Sequence, residues 1–141
     1  MIEIKSYDEL SKDELHDVLK LRGDVFVVEQ EITEEPEVDG RDPQAHHLLM
    51  WEGDELVGTV RILLEREPIK VGRVAVHKDY RRQGRGAAMV EAVADFLDGR
   101  HAKLHAQSHL EHWYAGLGWQ RVGENFDIVG IDHVRMDWAA A

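Results

Sequence analysis

The stretch Val74-Ala75-Val76-His77-Lys78-Asp79-Tyr80-Arg81-Arg82-Gln83-Gly84-Arg85-Gly86-Ala87 constrains the fold of this chain more than any other. An apolar run passes through a basic, glycine-bearing turn into Ala87–Leu97, which is rich in alanine, apolar on one side and stopped by Asp98-Gly99. The pattern predicts strand, turn, helix. The first N–H groups of a helix have no intrahelical partners, and together with the positive end of the helix dipole they favour an anion. Gly84 and Gly86 carry no β-carbon to hold a ligand off the backbone, and Arg81, Arg82 and Arg85 add charge-assisted donors. A pyrophosphate suits such a junction. Two nucleotide motifs do not fit it: no Gly-x-x-x-x-Gly-Lys-Ser/Thr is present, and Met89 stands where a dinucleotide fold needs a third small residue.

The elements around the junction follow from periodicity. Ile2–Tyr7 alternates as a short strand, and Ser11 with Glu14 has capping-box spacing. Leu15, Val18, Leu19 and Arg22 then continue a helical stripe that should end near Gly23. Val25–Gln30 fits either a strand, by its β-branched residues, or a further helical turn, which is preferred, and residues 33–44, acidic and carrying Pro36, Gly40 and Pro43, read as a loop. Strands are expected at 46–51, 56–64 and 70–77, the first two joined as a hairpin through Glu52-Gly53-Asp54-Glu55. A buried strand at 102–106, a short helix capped by Ser108 and Glu111, and strands near 120–127 and 131–138 complete the chain. Strand and helix alternate only in the second half, which predicts an α/β fold with a mixed, mostly antiparallel sheet flanked by helices.

At 141 residues the chain is expected to form a single domain. It contains no cysteine, so neither a disulfide framework nor a thiolate metal site can form. The start lacks the pattern of a secretory signal and no long apolar run occurs, so a cytoplasmic protein without membrane contact is expected. A net charge of −11 argues against nucleic acid as a partner. The charge is uneven, however: residues 70–85 hold six basic residues against the single acid Asp79. A cationic site on an acidic body suits a small polyanionic ligand.

Arg81-x-x-Gly84-x-Gly86, following the strand Arg73-Val74-Ala75-Val76, resembles the acyl-CoA-binding motif of GNAT acetyltransferases, Gln/Arg-x-x-Gly-x-Gly/Ala. Tyr114-Ala115-Gly116-Leu117-Gly118-Trp119 resembles the family's Tyr-x-x-x-Gly-Phe element, with Trp119 in place of Phe. Residues 21–30, 39–42, 106–109 and 130–133 are similar to the ElaA-like branch. The resemblance implies transfer of an acetyl group from acetyl-CoA to a primary amine of a small molecule or peptide by direct attack, without a metal. It further implies pantetheine contacts at Val74, Ala75 and Val76, a pyrophosphate site at Arg81, Arg82, Gln83, Gly84, Arg85, Gly86 and Ala87, and Tyr114 as general acid.

Some family members carry a glutamate base on the strand before the CoA turn, where this chain has Arg73 and His77. Proton acceptors to weigh are therefore Glu29, Asp39, His46, His47 and His133, with Glu29 preferred. Asp39, His47, Arg73, Gln107 and His133 are the acceptor-side candidates. The acidic loop with Glu34, Glu35, Glu37, Asp39 and Asp42 suggests an acceptor that arrives as a cation. His101, His105, His109 and His112 would make a metal site on one continuous helix, but Ala102, Leu104 and Ala106 alternate with Lys103 and His105 as in a strand, which breaks the shared face. A non-catalytic acyl-CoA-binding module is the alternative function. The acceptor's identity stays open, and a homodimer is the oligomer to test for.

Overall fold

The computed structural model describes residues 1–138. Seven strands form one sheet: β1 (Ile2–Ser6), β2 (His46–Glu52), β3 (Glu55–Leu63), β4 (Ile69–Val76), β5 (Ala102–Gln107), β6 (Gln120–Ile128) and β7 (Ile131–Trp138). Their order is β1-β2-β3-β4-β5-β7-β6. Every neighbouring pair is antiparallel except β4 and β5. A parallel pair needs a long crossover, and helix α2 (Arg85–Leu97) supplies it. With α1 (Lys12–Arg22) and α3 (Glu111–Gly116) this is the mixed, mostly antiparallel sheet flanked by helices that the element order predicts.

Alternation along the strands sends side chains to two cores. Leu48, Val60 and Ile62 pack with Met89, Val93 and Leu97 of α2, whereas Leu49 and Ala75 pack with Val18, Leu21 and Val25 on the α1 side. Covered on both faces, β3 is buried from Leu56 to Leu63. Helix α2 lies very close at Gly58, where a β-carbon would come within 2.6 Å of Met89 Sδ.

Two local expectations needed revision. The Ser11–Glu14 box closes as expected, with Glu14 N–H donating to Ser11 Oγ at 3.0 Å and Ser11 N–H to Glu14 Oε1 at 2.9 Å. The helix does not stop at Gly23, which keeps helical dihedrals (φ −60°, ψ −44°) and leads into a π-helical turn over Gly23–Glu29. The buried stripe is therefore Val18, Leu21, Arg22 and Val25, which shares Val18 and Arg22 with the expected one and replaces Leu15 and Leu19 by Leu21 and Val25. The second box, Ser108 with Glu111, does not form: Ser108–Leu110 is a 3-10 turn, and Arg121 holds the Glu111 carboxylate at 2.8 Å. Among the described residues no helix is long and apolar enough to cross a membrane.

Candidate active site

The site follows from a failure of strand pairing. β4 and β5 are in register only at Ile69 with Ala102 and Lys70 with Lys103, although β4 runs on to Val76 and β5 to Gln107. A bulge contributes to the separation. Thr59 of β3 faces Ala75 and Arg61 faces Gly72, so Val60 opposes both Arg73 and Val74, and Arg73 adopts a left-handed φ of 51°. Between the diverging strands lies a cavity of about 350 Å³, lined by Lys70–Val74 on one side and Leu104–Gln107 on the other. Strands that part expose backbone N–H and C=O groups, to which an extended ligand can add as a strand would.

The expected pyrophosphate turn leads from the end of β4 into α2. Helix α1 closes its own N-terminus with a capping box, but α2 begins at Gly84 (φ 76°) with no side-chain cap and no acid in its first turn. Arg82 is also left-handed, at φ 62°, so successive N–H groups can converge on one anion. A β-carbon at Gly86 would sit 3.4 Å from the Trp113 ring, so the tryptophan lies against the backbone of the turn.

The arginines of the turn differ in their commitments. Arg81 donates from Nε to the Val76 carbonyl (3.0 Å) and through both terminal nitrogens to Glu29 (2.7 and 2.8 Å). Arg85 pairs with Glu52 at 2.8 Å and lies over the Tyr80 ring. Arg82 and Gln83 are exposed. Of the expected pantetheine contacts, Val74 lines the cavity from the bulge, outside the regular β3 register, Ala75 is paired to Thr59, and the Val76 carbonyl is already engaged by Arg81.

Tyr114 of α3 closes the cavity from the far side. It is 5% exposed and meets Trp113 and Trp119 edge-on. Burial pushes its phenol up to about 12, so it stays protonated at any ordinary pH. His133 on β7 lines the same cavity, with Nδ1 2.7 Å from the Ile131 carbonyl. A carbonyl can only accept, so Nδ1 donates its N–H there, and in the neutral tautomer the lone pair is on Nε2.

Comparison with known proteins decides what this arrangement is. The family described as "Acetyltransferase (GNAT) domain" matches residues 8–140. The chain belongs to the GNAT acetyltransferase family. It is 34% identical to the protein ElaA of Escherichia coli strain K12 over 92% of this chain and 90% of that one, and a crystal structure of E. coli ElaA superposes with a TM-score of 0.86. A putative acetyltransferase of Bacillus subtilis strain 168 is 33% identical over 89% of this chain and 90% of its own. A crystal structure of an acyl-CoA N-acyltransferase from Pseudomonas aeruginosa superposes with a TM-score of 0.92, at 32% identity and 99% coverage of both chains. The enzyme class follows: an acyl-CoA-dependent N-acyltransferase.

Several residues expected on the acceptor side of this GNAT chain are occupied elsewhere. Arg22, 1% exposed, binds Asp42 (2.8 and 3.3 Å) and Glu37 (2.7 Å). Arg61 pairs with Asp39 through two bonds of 2.8 and 2.9 Å and reaches Asp42 at 3.3 Å. Arg73 joins from the bulge, 3.4 Å from Asp39, and its Nε lies 2.8 Å from Glu37 Oε2 but out of line for a hydrogen bond. Three carboxylates of the acidic loop are thus neutralised by three arginines. Burial alone would raise the Asp39 carboxyl, but Arg61, the Arg41 N–H and Arg73 hold it well below the usual carboxylate range. The sequence-based expectation that the acidic loop steers a cationic acceptor narrows to the exposed Glu34 and Glu35, because the charge of Glu37, Asp39 and Asp42 is spent internally.

His47 is also corrected as an acceptor contact: it is fully buried on β2, hydrogen-bonded to the Asp42 carbonyl at 3.2 Å and held neutral by burial. Glu29 lies outside the cavity lining, and its pair with Arg81 lowers its carboxyl further, which makes it a poor proton acceptor. Arg73, Gln107 and His133 do line the cavity. Sequence reasoning missed Lys70 and His105, which line it too. The signal was present: in a strand, Lys103, His105 and Gln107 share one face, and Gln107 had been singled out. Among the described residues no group of three or more histidine or carboxylate side chains is arranged to hold a metal ion.

Proposed function

We propose that residues 1–141 act as one N-acetyltransferase domain that moves acetyl from acetyl-CoA to a primary amine, with the acyl-pantetheine arm between β4 and β5. The observation that carries the reading is the splay of these strands onto an uncapped α2 N-terminus, which offers free backbone groups to an amide-bearing arm and a diphosphate in sequence. Val74 is the main strand contact, and the N–H groups from Arg82 to Ala87 with the Arg82 guanidinium hold the diphosphate. Arg81 instead braces the end of β4 against Glu29.

A primary alkylamine has a pKa of about 10.4 and arrives mostly protonated at neutral pH. His133 Nε2 takes that proton, since Nδ1 is committed to Ile131. The freed amine attacks the thioester carbon, the C–S bond breaks to release CoA thiolate, and the second amine proton passes from the nitrogen to that sulfur as the amide forms, while the Tyr114 O–H hydrogen-bonds to the departing sulfur. A phenol at about 12 facing a thiol of pKa about 8.5 does not give up its proton ahead of cleavage. Its help is a hydrogen bond that strengthens as charge builds on sulfur, worth about 10- to 100-fold in kcat.

Release of free CoA from acetyl-CoA across a panel of amines, with the acetylated product weighed by mass spectrometry, tests the reading. Tyr114→Phe should lower kcat by about 10- to 100-fold while leaving the CoA dissociation constant and the melting midpoint nearly unchanged. An unchanged kcat removes Tyr114 from the mechanism. Binding of acetyl-CoA with no release for any amine leaves the binding module instead.

A further inference from the structure

The apex of the cleft holds positive charge that the protein leaves uncompensated. Lys70 and Lys103 are the last residues that β4 and β5 keep in register, and Lys70 lines the cavity half-buried. Of the carboxylates nearby, Glu37 goes to Arg22 and Arg73, Asp39 to Arg61 and Arg73, Asp42 to Arg22 and Arg61, and Asp137, opposite Lys103 on β7, to Arg135 and His101, while Glu35 lines the cavity without an ion pair to either lysine. Among the described residues none pairs with Lys70 or Lys103. His105, on the same face of β5 as Lys103, registers the same field. Burial, followed by the charges of Lys70 and Lys103, holds its imidazole down at about 4, so it stays neutral. Burial and the cations around it likewise lower Lys70. A half-buried cation without a counter-ion is costly, and an anion arriving with a ligand relieves that cost.

CoA's own phosphates are not that anion. They belong at the α2 N-terminus beyond Val76, and six residues of strand at about 3.3 Å each place Lys70 roughly 20 Å back along β4. The acceptor, in contrast, must reach the thioester beside Val74 and Tyr114. The Arg73 bulge lies about 10 Å along β4 from Lys70, a span on the order of one small molecule together with a lysine side chain leaning along the strand.

We propose that the acceptor is a zwitterion, an α- or β-amino acid, whose carboxylate is bound by Lys70 with Lys103 while its amine faces the thioester. This deepens the acyl-transfer reading and rests on it. The neutral His105 imidazole gives the carboxylate a further hydrogen-bond donor. The proposal differs from the cationic acceptor that the acidic loop suggested, because Glu37, Asp39 and Asp42 of that loop are internally paired and the lysines are not.

The test compares α- and β-amino acids with their carboxamides and with diamines of equal length, in steady-state transfer and in calorimetric binding to the CoA-loaded protein. The acids should have KM values about 10- to 100-fold below those of the amides, the usual size of a charge-assisted contact. Lys70→Met should bring the two within about twofold by raising KM for the acid alone, with CoA affinity unchanged, and Lys70→Arg should retain the preference. Equal or better use of amides or diamines overturns the proposal, as does a preference that survives Lys70→Met. If no compound turns over, tighter calorimetric binding of the acids keeps the anion site and refutes the transfer reading; equal binding overturns both. Should Lys70→Met misfold, the parent decides: the acid, but not the amide, must raise the pH at which the His105 imidazole resonance titrates, and no movement overturns the site.

Discussion

The loop of residues 33–44 and the turn of residues 81–87 look alike as charge runs of opposite sign, yet the fold treats them oppositely. The acidic loop is drawn in at three of its five acids: Glu37, Asp39 and Asp42 meet Arg22 from α1, Arg61 from β3 and Arg73 from β4 in a largely buried assembly, while Glu34 and Glu35 stay exposed. The basic turn keeps Arg82 in solvent and leaves the helix behind it uncapped. The difference lies in what distant elements deliver. A charge run is available to a ligand only where the rest of the chain brings it no partner, and spacing along the sequence does not report that.

The largest expected effect breaks the acidic side of this comparison. Arg22→Met removes the nearest partner of the buried Asp42 and of the half-buried Glu37 and should cost about 3–5 kcal/mol in denaturant unfolding, whereas Arg82→Ala should change stability by less than about 0.5 kcal/mol. The same network sets the acid limit. Asp39 and Asp42 have carboxyls depressed in the fold. Their stabilisation is therefore complete above the unfolded value of about 3.9 and is lost as the pH falls through the folded values. Melting midpoints should drop below about pH 4 in the parent and show a weaker acid dependence in Arg22→Met. Equal stability of the two proteins at pH 7 would mean that the loop's charge is not structural.

On the basic side, Gly86→Val places a branched side chain against Trp113 and Val76 in the first turn of α2. CoA affinity should fall by about 100-fold, as expected for losing two charge-assisted bonds. An unchanged dissociation constant in a folded variant would put the cofactor elsewhere. A smaller effect sharpens the mechanism: His133→Gln should lower kcat/KM by about 10- to 100-fold at pH 7. The defect should shrink above about pH 10, where the amine no longer needs a base. A pH-independent defect would make His133 a packing residue.

Most of the fold was legible because the periods are clean. Leu48 and Leu49 part to opposite cores, and Ala87–Leu97 forms one amphipathic helix. The glycine turn was legible for a chemical reason, since Gly84 does take a left-handed φ. The acceptor side was not, because its properties are relations between strands. The register that ends at Lys70 and Lys103, the bulge at Arg73, and the burial of His47 and Arg22 all arise from pairing and packing that no local window contains. Glu29 looked free in sequence because Arg81, its partner, lies 52 residues further on.

The central claim is that the acyl-CoA arm lies between β4 and β5 and ends on the first turn of α2. Amide hydrogen exchange with and without CoA tests it most directly, since it reports position without needing the acceptor. The account predicts protection concentrated at residues 72–76 and 82–87, with residues 33–44 unchanged. CoA binding that leaves those two segments unprotected, or that protects the acidic loop instead, would contradict it.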